Sequence, residues 1–369
     1  MKILAFLNSY TEGKSGGDMC FIEIFKRIPH RNLTVITSVL GKKLCKTNGL
    51  KAKYILTTHE LQFRFIYWIY LLRIVKGIWL AILKGNVDVI YITSDALPDV
   101  LPALFSKIKN PKATVIGTVF HIIPQKRFFS SITQQISHLL LKIITKYIVV
   151  DNSLLKDELV TSGFVSSKIV VNYPAIDSAY LKTIKLNKKY TATFMSRLHS
   201  SKGIFDLIYI WEQVVKKMPE ATLGIIGTGD NKTILRLQKL IKNKKLTNNI
   251  VLCGFLPNET AYSIIKGSTV FLFPSHEEGF GMVVGEVLAL GVPTVTYDLP
   301  VFKETFKPAL LTVEQFDTKA FSKQIIDILN KPEKYDRVVA AGTKLVTKFS
   351  WQTAVQKELT IINNITMQQ

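Results

Sequence analysis

Cysteine is nearly missing from this chain. Cys20, Cys45 and Cys253 are the only three in 369 residues, too few and too scattered for a disulfide framework, and they form no CxxC or Cys/His pattern with metal-ligand spacing. A reducing cytosol is the expected compartment. Long uninterrupted apolar runs are also absent. The run that opens the sequence stops at Asn8, too early for a signal-peptide core, so secretion is not expected. The most apolar stretch, Leu61 to Leu83, is interrupted by Arg64, Arg73 and Lys76, whereas a spanning helix needs about 20 mostly uncharged residues. It reads as non-spanning. No 20- to 50-residue period recurs, which excludes solenoids, and no GxGxxG or strand-end Asp-x-Asp occurs.

Acidic residues are scarce relative to basic ones, 27 against 48, a formal net charge of +21. The excess suits an anionic partner, whether nucleic acid, an anionic membrane or a phosphorylated ligand, and a generally basic composition gives the same total. A nucleic-acid binder should show clustered arginine with aromatic platforms or a known module; neither is present, so nucleic acid is not expected as a partner. Hydrophobic residues make up 47% of the chain and charged ones 20%, enough apolar surface for a globular protein throughout. The length exceeds what one core usually supports and predicts two.

Short β-branched and aromatic runs alternate with helical segments at Lys2–Leu7, Leu33–Thr37, Val87–Thr93, Ala113–Val119 and Tyr147–Val150. Continuous apolar strands separated by helices imply a parallel sheet covered on both faces. A run at Ile169–Asn172 is followed by a polar, lysine-rich passage, Asp177 to Lys189, read as a linker near residue 180. The pattern then restarts at Ala192–Met195, Ala221–Ile226, Ile250–Cys253, Val270–Phe273 and Pro293–Tyr297. The expected fold is α/β, two doubly wound, Rossmann-like domains, with ligands outside the carboxyl ends of the strands.

Two segments at such strand ends carry chemistry. The first, Pro274-Ser275-His276-Glu277-Glu278-Gly279-Phe280-Gly281-Met282-Val283-Val284-Gly285-Glu286, runs from a strand through a glycine turn into an apolar helix closed by Gly291 and Pro293. Backbone N–H groups at that helix start, with glycines permitting close approach, suit a phosphate. Glu286 is the one charge on an apolar helix and needs hydroxyl partners, which a ribose diol supplies. As an isolated pair, Glu286 on an exposed helix face and Glu278 as an N-cap would be the plainer reading. The second segment, Met195-Ser196-Arg197-Leu198-His199-Ser200-Ser201-Lys202-Gly203, offers the planar fork of Arg197 and the mobile charge of Lys202, a pairing suited to two phosphates, although solvated strand-end charges look the same.

Taken together these segments resemble family 4 glycosyltransferases, retaining enzymes of GT-B fold. Glu278 and Glu286 match the two acids of the E-x7-E motif, with Pro-Ser, Gly-Phe-Gly and Gly-x-Pro flanking them, and Arg197 and Lys202 match the R-x4-K-G diphosphate clamp. Ile225-Ile226-Gly227-Thr228-Gly229-Asp230 is similar to the family's glycine turn, and Cys253-Gly254-Phe255-Leu256-Pro257 to its loop facing the nucleotide base. The Gly16-Gly17 pair and His121 fall where the family approaches donor phosphate and donor sugar; by itself a lone His near apolar residues is more often a core residue. Asp18 where Glu is frequent, and Val287-Leu288 for the commoner Ala-Met, are modest departures.

The resemblance implies two Rossmann-like domains facing across a cleft: an acceptor-binding domain at 1–178, a nucleotide-sugar-binding domain at 179–348, and a helix at 349–369 returning to the first. It implies transfer of a sugar from a nucleotide diphosphate to a glycan or lipid-linked acceptor with retention. No cofactor or metal is expected, because Arg197, Lys202 and the amides of Gly279 to Met282 supply the positive field. Glu278 and His121 are assigned to the sugar, Glu286 to the ribose, and Gly254 and Phe255 to the base. A sugar-nucleotide epimerase or another enzyme of the same fold is the alternative.

A cytoplasmic location, peripheral on the membrane, is expected from Leu61–Lys76, where aromatic and basic residues mix. At 100° per residue Gln62, Arg73 and Lys84 share a stripe with Lys76 beside it, predicting a polar edge on a helix that is either membrane-docked or buried with its charges reaching to water. A second basic-aromatic patch is Gln125-Lys126-Arg127-Phe128-Phe129.

Overall fold

Thirteen strands among the described residues form two all-parallel sheets in the computed structural model, which describes residues 1–9, 16–28, 32–59, 66–123 and 128–366. In chain order the strands are β1 (Lys2–Leu7), β2 (Asn32–Thr37), β3 (Lys53–Leu56), β4 (Val89–Ile92), β5 (Thr114–Val119), β6 (Tyr147–Val150), β7 (Ile169–Val171), β8 (Ala192–Met195), β9 (Leu223–Ile226), β10 (Ile250–Gly254), β11 (Val270–Phe273), β12 (Thr294–Tyr297) and β13 (Leu311–Val313). The chain divides into two compact units, residues 1–175 with 351–369, and residues 176–350.

The first unit holds a seven-stranded sheet in the order β3-β2-β1-β4-β5-β6-β7. Alternate residues of β1 feed two cores. Ile3, Ala5 and Leu7 face Phe21, Ile22 and Phe25 of the helix Gly16–Arg27, while Leu4 and Phe6 face Ala81, Ala103 and Leu141 of three later helices. The central strands are apolar on both faces, as a sheet covered twice requires. The C-terminal helix Trp351–Thr366 belongs to this unit: Val355, Ile361 and Ile362 join the Phe21 core, and the Arg27 guanidinium lies 4.8 Å from the Trp351 ring centre. Glu358 of that helix is fully buried and accepts from Asn172 Nδ2 at 3.1 Å.

The second unit holds a six-stranded sheet in the order β10-β9-β8-β11-β12-β13, packed on an aromatic core that includes Phe194, Trp211, Phe271, Phe273 and Phe302. The lysine-rich passage read as a linker is folded onto this unit. It carries the helix Ser178–Thr183, and Lys266 Nζ donates to the carbonyls of Lys182 and Ile184 at 3.1 and 2.6 Å.

The helix Ile66–Leu83 differs from its expected polar edge. Arg73 is fully buried rather than reaching to water, with Nη1 donating to Asn8 O at 2.8 Å and Nε to Thr58 Oγ1 at 3.3 Å. The outward face is apolar instead. Gln62, Arg64 and the rest of 60–65, like Gln125, Lys126 and Arg127, lie outside the described residues. Among the described residues no helix is long and apolar enough to cross a membrane.

Candidate active site

The strand order of the second sheet reverses between β8 and β11, so the helices that follow these two neighbours leave on opposite faces and a crevice opens at their carboxyl ends. The two segments singled out in the sequence are the exits of these two strands. They are laced together: His276 N donates to Ser201 O at 2.8 Å, and Ser275 Oγ lies 3.2 Å from the same carbonyl. Gly203 permits the approach. Its φ of 66° is left-handed, and a Cβ there would stand 1.7 Å from Pro274 O. The Gly227 turn after β9 meets the same loop, with φ 135° and a virtual Cβ 1.8 Å from Ser196 O.

At this junction Lys202 Nζ pairs with Glu278 Oε1 at 2.7 Å and donates to Glu277 O at 3.2 Å. Ser275 Oγ donates to the same Glu278 oxygen at 2.8 Å. Glu278 is thus held by Lys202 and Ser275 rather than serving as an N-cap. An ammonium has three protons, and two of them are committed. Glu278 Oε2 and the exposed Arg197 guanidinium have no partner among the described residues. His276 is fixed by Asp206, whose Oδ2 lies 2.9 Å from Nε2 and also accepts from Tyr297 OH at 3.0 Å. Sequence reading missed both Asp206 and Tyr297, whose partner in the motif is distant in sequence.

The helix Met282–Leu290 starts at Gly281, φ 86°, with no side-chain cap, and ends at Gly291, φ 75°. Glu286 is half-buried on it. Desolvation pushes its carboxyl up to about 7, opposed by a hydrogen bond from the Tyr262 hydroxyl of the helix Asn258–Lys266. A hydroxyl partner therefore exists within the protein, which sequence reading did not anticipate. The Phe280 ring is buried, with centroids 5.2 Å from both Phe306 and Phe349, so its backbone amide is the group assigned to the donor. Met282 is half-buried, Gly254 has φ 68° with open space around it, and Phe255 is 67% exposed.

In the first unit the order reverses between β1 and β4. Asp99 is buried there, accepting from Ser9 Oγ at 2.8 Å, Ser94 Oγ at 2.6 Å and the amides of Asn8 and Ser9. Desolvation raises its carboxyl to about 7 against the pull of those hydrogen bonds. Gly17 places the start of its helix against the exit of β5, since a Cβ would stand 2.5 Å from the Phe120 ring, next to His121. Gly16 and His121 are exposed. The His121 backbone is clamped by Gln134, which donates to its carbonyl at 2.8 Å and to Asp95 Oδ2 at 2.7 Å while accepting from Ile123 N at 2.7 Å. His138 Nε2 holds the same Asp95 oxygen at 2.8 Å. Among the described residues no group of three or more His, Cys, Asp or Glu is placed to hold a metal ion.

Arg197, Lys202, Glu278 and Glu286 all lie within the segment that matches a family model. Residues 180–345 match the glycosyl transferases group 1. The chain is 30% identical over 171 residues to the poly(glycerol-phosphate) alpha-glucosyltransferase of Bacillus subtilis, covering 44% of this chain and 24% of that protein. It is 32% identical over 188 residues to an uncharacterized glycosyltransferase of Methanocaldococcus jannaschii, 45% of each. It thus spans less than half the length of these curated relatives. Among solved structures, an Anabaena protein, HepE, in complex with UDP and glucose superposes with a TM-score of 0.81 at 17% identity, covering 99% of this chain and all of that one. The architecture, two Rossmann-like parallel-sheet units with a C-terminal helix, is the GT-B fold, and its second unit is similar to group 1 glycosyl transferases.

Proposed function

We propose that the protein is a retaining glycosyltransferase that moves a sugar from a nucleotide-diphosphate donor to a glycan or lipid-linked acceptor, working in the cytoplasm, peripherally on the membrane. The observation that carries this reading is the joining of Lys202, Ser275 and Glu278 at the switch point of the second sheet, on the strand exit that also carries the exposed Arg197, within the segment similar to group 1 glycosyl transferases. As the glycosidic bond breaks, the leaving diphosphate gains charge and the anomeric carbon becomes oxocarbenium-like, so fixed positive groups aimed at the phosphates lower the barrier. Arg197 and the uncommitted proton of Lys202 meet the phosphates. The amides of Gly279, Phe280, Gly281 and Met282 add the field of the helix start.

Glu278 anchors Lys202 through Oε1 and offers Oε2 to a sugar hydroxyl, so one carboxylate orients both partners of the scissile bond. Glu286 accepts from the ribose diol beside the Tyr262 hydroxyl, and Gly254 with exposed Phe255 faces the base. Gly16, Gly17 and His121 serve the donor phosphate and sugar. With two cations at the diphosphate, transfer needs no divalent metal. Supporting the donor class, HepE is described in complex with UDP and glucose.

The test is to incubate the protein with UDP-, GDP- and ADP-sugars and a membrane extract and to identify the product by mass spectrometry. Transfer from one donor supports the reading; isomerised sugar nucleotide without transfer replaces it with an epimerase.

A further inference from the structure

Large hydrophobic side chains are exposed on two helices of the first unit far beyond what scattered surface residues explain. On Ile66–Leu83 the exposed residues include Trp68, Leu71, Leu72, Val75, Trp79 and Leu83, with Trp68 at 66% and Trp79 at 61%. At 100° per residue these fall within one stripe opposite buried Arg73, Gly77 and Ala81. The helix Phe128–Ile144 repeats the pattern with Phe128, Phe129, Ile132, Ile136, Leu139 and Ile143. The helix Leu97–Lys109 packs against both, so the two stripes flank it on the same side of the sheet. Exposed apolar patches of this extent mark an interaction surface.

The charges beside the stripes name the occupant. Neither striped helix contains an Asp or Glu, and the one acid of the helix between them, Asp99, is buried. Lys76 and Lys109 are exposed on this side, and Lys142 is half-buried. A second copy packed face to face would bring these lysines together without an acid to meet them. An anionic bilayer meets both features: Trp and Phe rings suit the headgroup boundary, and lysines flank the stripe where lipid phosphates lie. Helices too short to span can lie in that plane.

We infer that these two helices together form a docking face for an anionic lipid surface, with both stripes in the headgroup region and the Leu97–Lys109 helix between them. The inference deepens the reading of a membrane-side transferase and rests on it for its purpose, while its physical basis is independent of catalysis.

The full chain is floated with vesicles of phosphatidylcholine alone and of phosphatidylcholine mixed with phosphatidylglycerol. Binding to the mixed vesicles, weakened by salt, is expected. Tryptophan emission should shift to the blue and be quenched by brominated acyl chains, because Trp68 and Trp79 are exposed whereas Trp211 is buried. Replacing the exposed pair Ile136→Ser and Leu139→Ser, or the pair Trp68→Ser and Trp79→Ser, should each weaken partition by roughly tenfold or more. No flotation at low salt overturns the inference, as does a concentration-dependent dimer that either pair of substitutions abolishes. If only the Trp68/Trp79 pair matters, the two-helix face is wrong. Transfer to a soluble acceptor without flotation removes the docking face and leaves the transferase; flotation without transfer from any donor does the reverse.

Discussion

Glu286, which the proposed function places at the donor ribose, has a titration set by burial. Its upward shift to about 7 comes from desolvation, and an ionised carboxylate is the form that accepts hydrogen bonds from both ribose hydroxyls. Donor affinity should therefore rise with pH through about 7, and Glu286→Gln should flatten that rise and weaken binding by roughly ten- to a hundredfold. Calorimetric titration of the nucleotide diphosphate across the pH range checks this; an unchanged slope in the variant removes Glu286 from the donor site. The acid itself was legible, being the one charge on an apolar helix. Its Tyr262 partner was not, because a contact between neighbouring helices leaves no local pattern. Arg73 misled for a related reason. Periodicity put it on a polar edge with Gln62 and Lys84, but a guanidinium can be buried where carbonyl and hydroxyl oxygens receive it, here Asn8 O and Thr58 Oγ1.

Among the elements, the strands with apolar residues on both faces were readable, as were the edge strands β7 and β10, whereas the edge strands β3 and β13 were not. β1, β6, β8 and β11 match their expected runs end to end. β3 and β13 went unseen because neither run is uniformly apolar: Lys53 and Thr312 interrupt them and are exposed. The stripe on Phe128–Ile144 escaped because Ser and Gln interrupt it, and its meaning emerges only beside the matching stripe on Ile66–Leu83. The loops at the switch point depend on close backbone approach, which Gly203 exemplifies. Gly203→Ala must place a Cβ against Pro274 O in a left-handed conformation, so a loss of more than the ~1–2 kcal/mol typical of the backbone term alone is expected. Chemical denaturation reads it directly. A variant as stable as the parent would mean that the exits of β8 and β11 are not joined this way.

For the molecule as a whole, three buried or half-buried carboxyls, Asp99, Glu286 and Glu358, are each raised to about 7, chiefly by desolvation. In the unfolded chain they titrate near 4, so between about pH 4.5 and 7 the folded state binds more protons and stability falls as pH rises. Fully buried Asp99 and Glu358 each contribute on the order of 3 kcal/mol to that fall. The melting temperature should be higher at about pH 5.5 than at about pH 8, and Glu358→Gln should shrink the difference; a rise in stability over this window contradicts the assignment. In the proposed function two side-chain cations at the second sheet's switch point, in place of a metal, stabilise the leaving diphosphate of a sugar nucleotide. The most direct test is transfer from the productive donor in the presence of EDTA, with the product anomer read by NMR, for the parent and for Arg197→Ala. Full activity of the parent with retained configuration, and a roughly ten- to a hundredfold loss in the variant, are expected. Dependence on added magnesium or manganese, an inverted product, or an Arg197→Ala variant as active as the parent would contradict the proposed function.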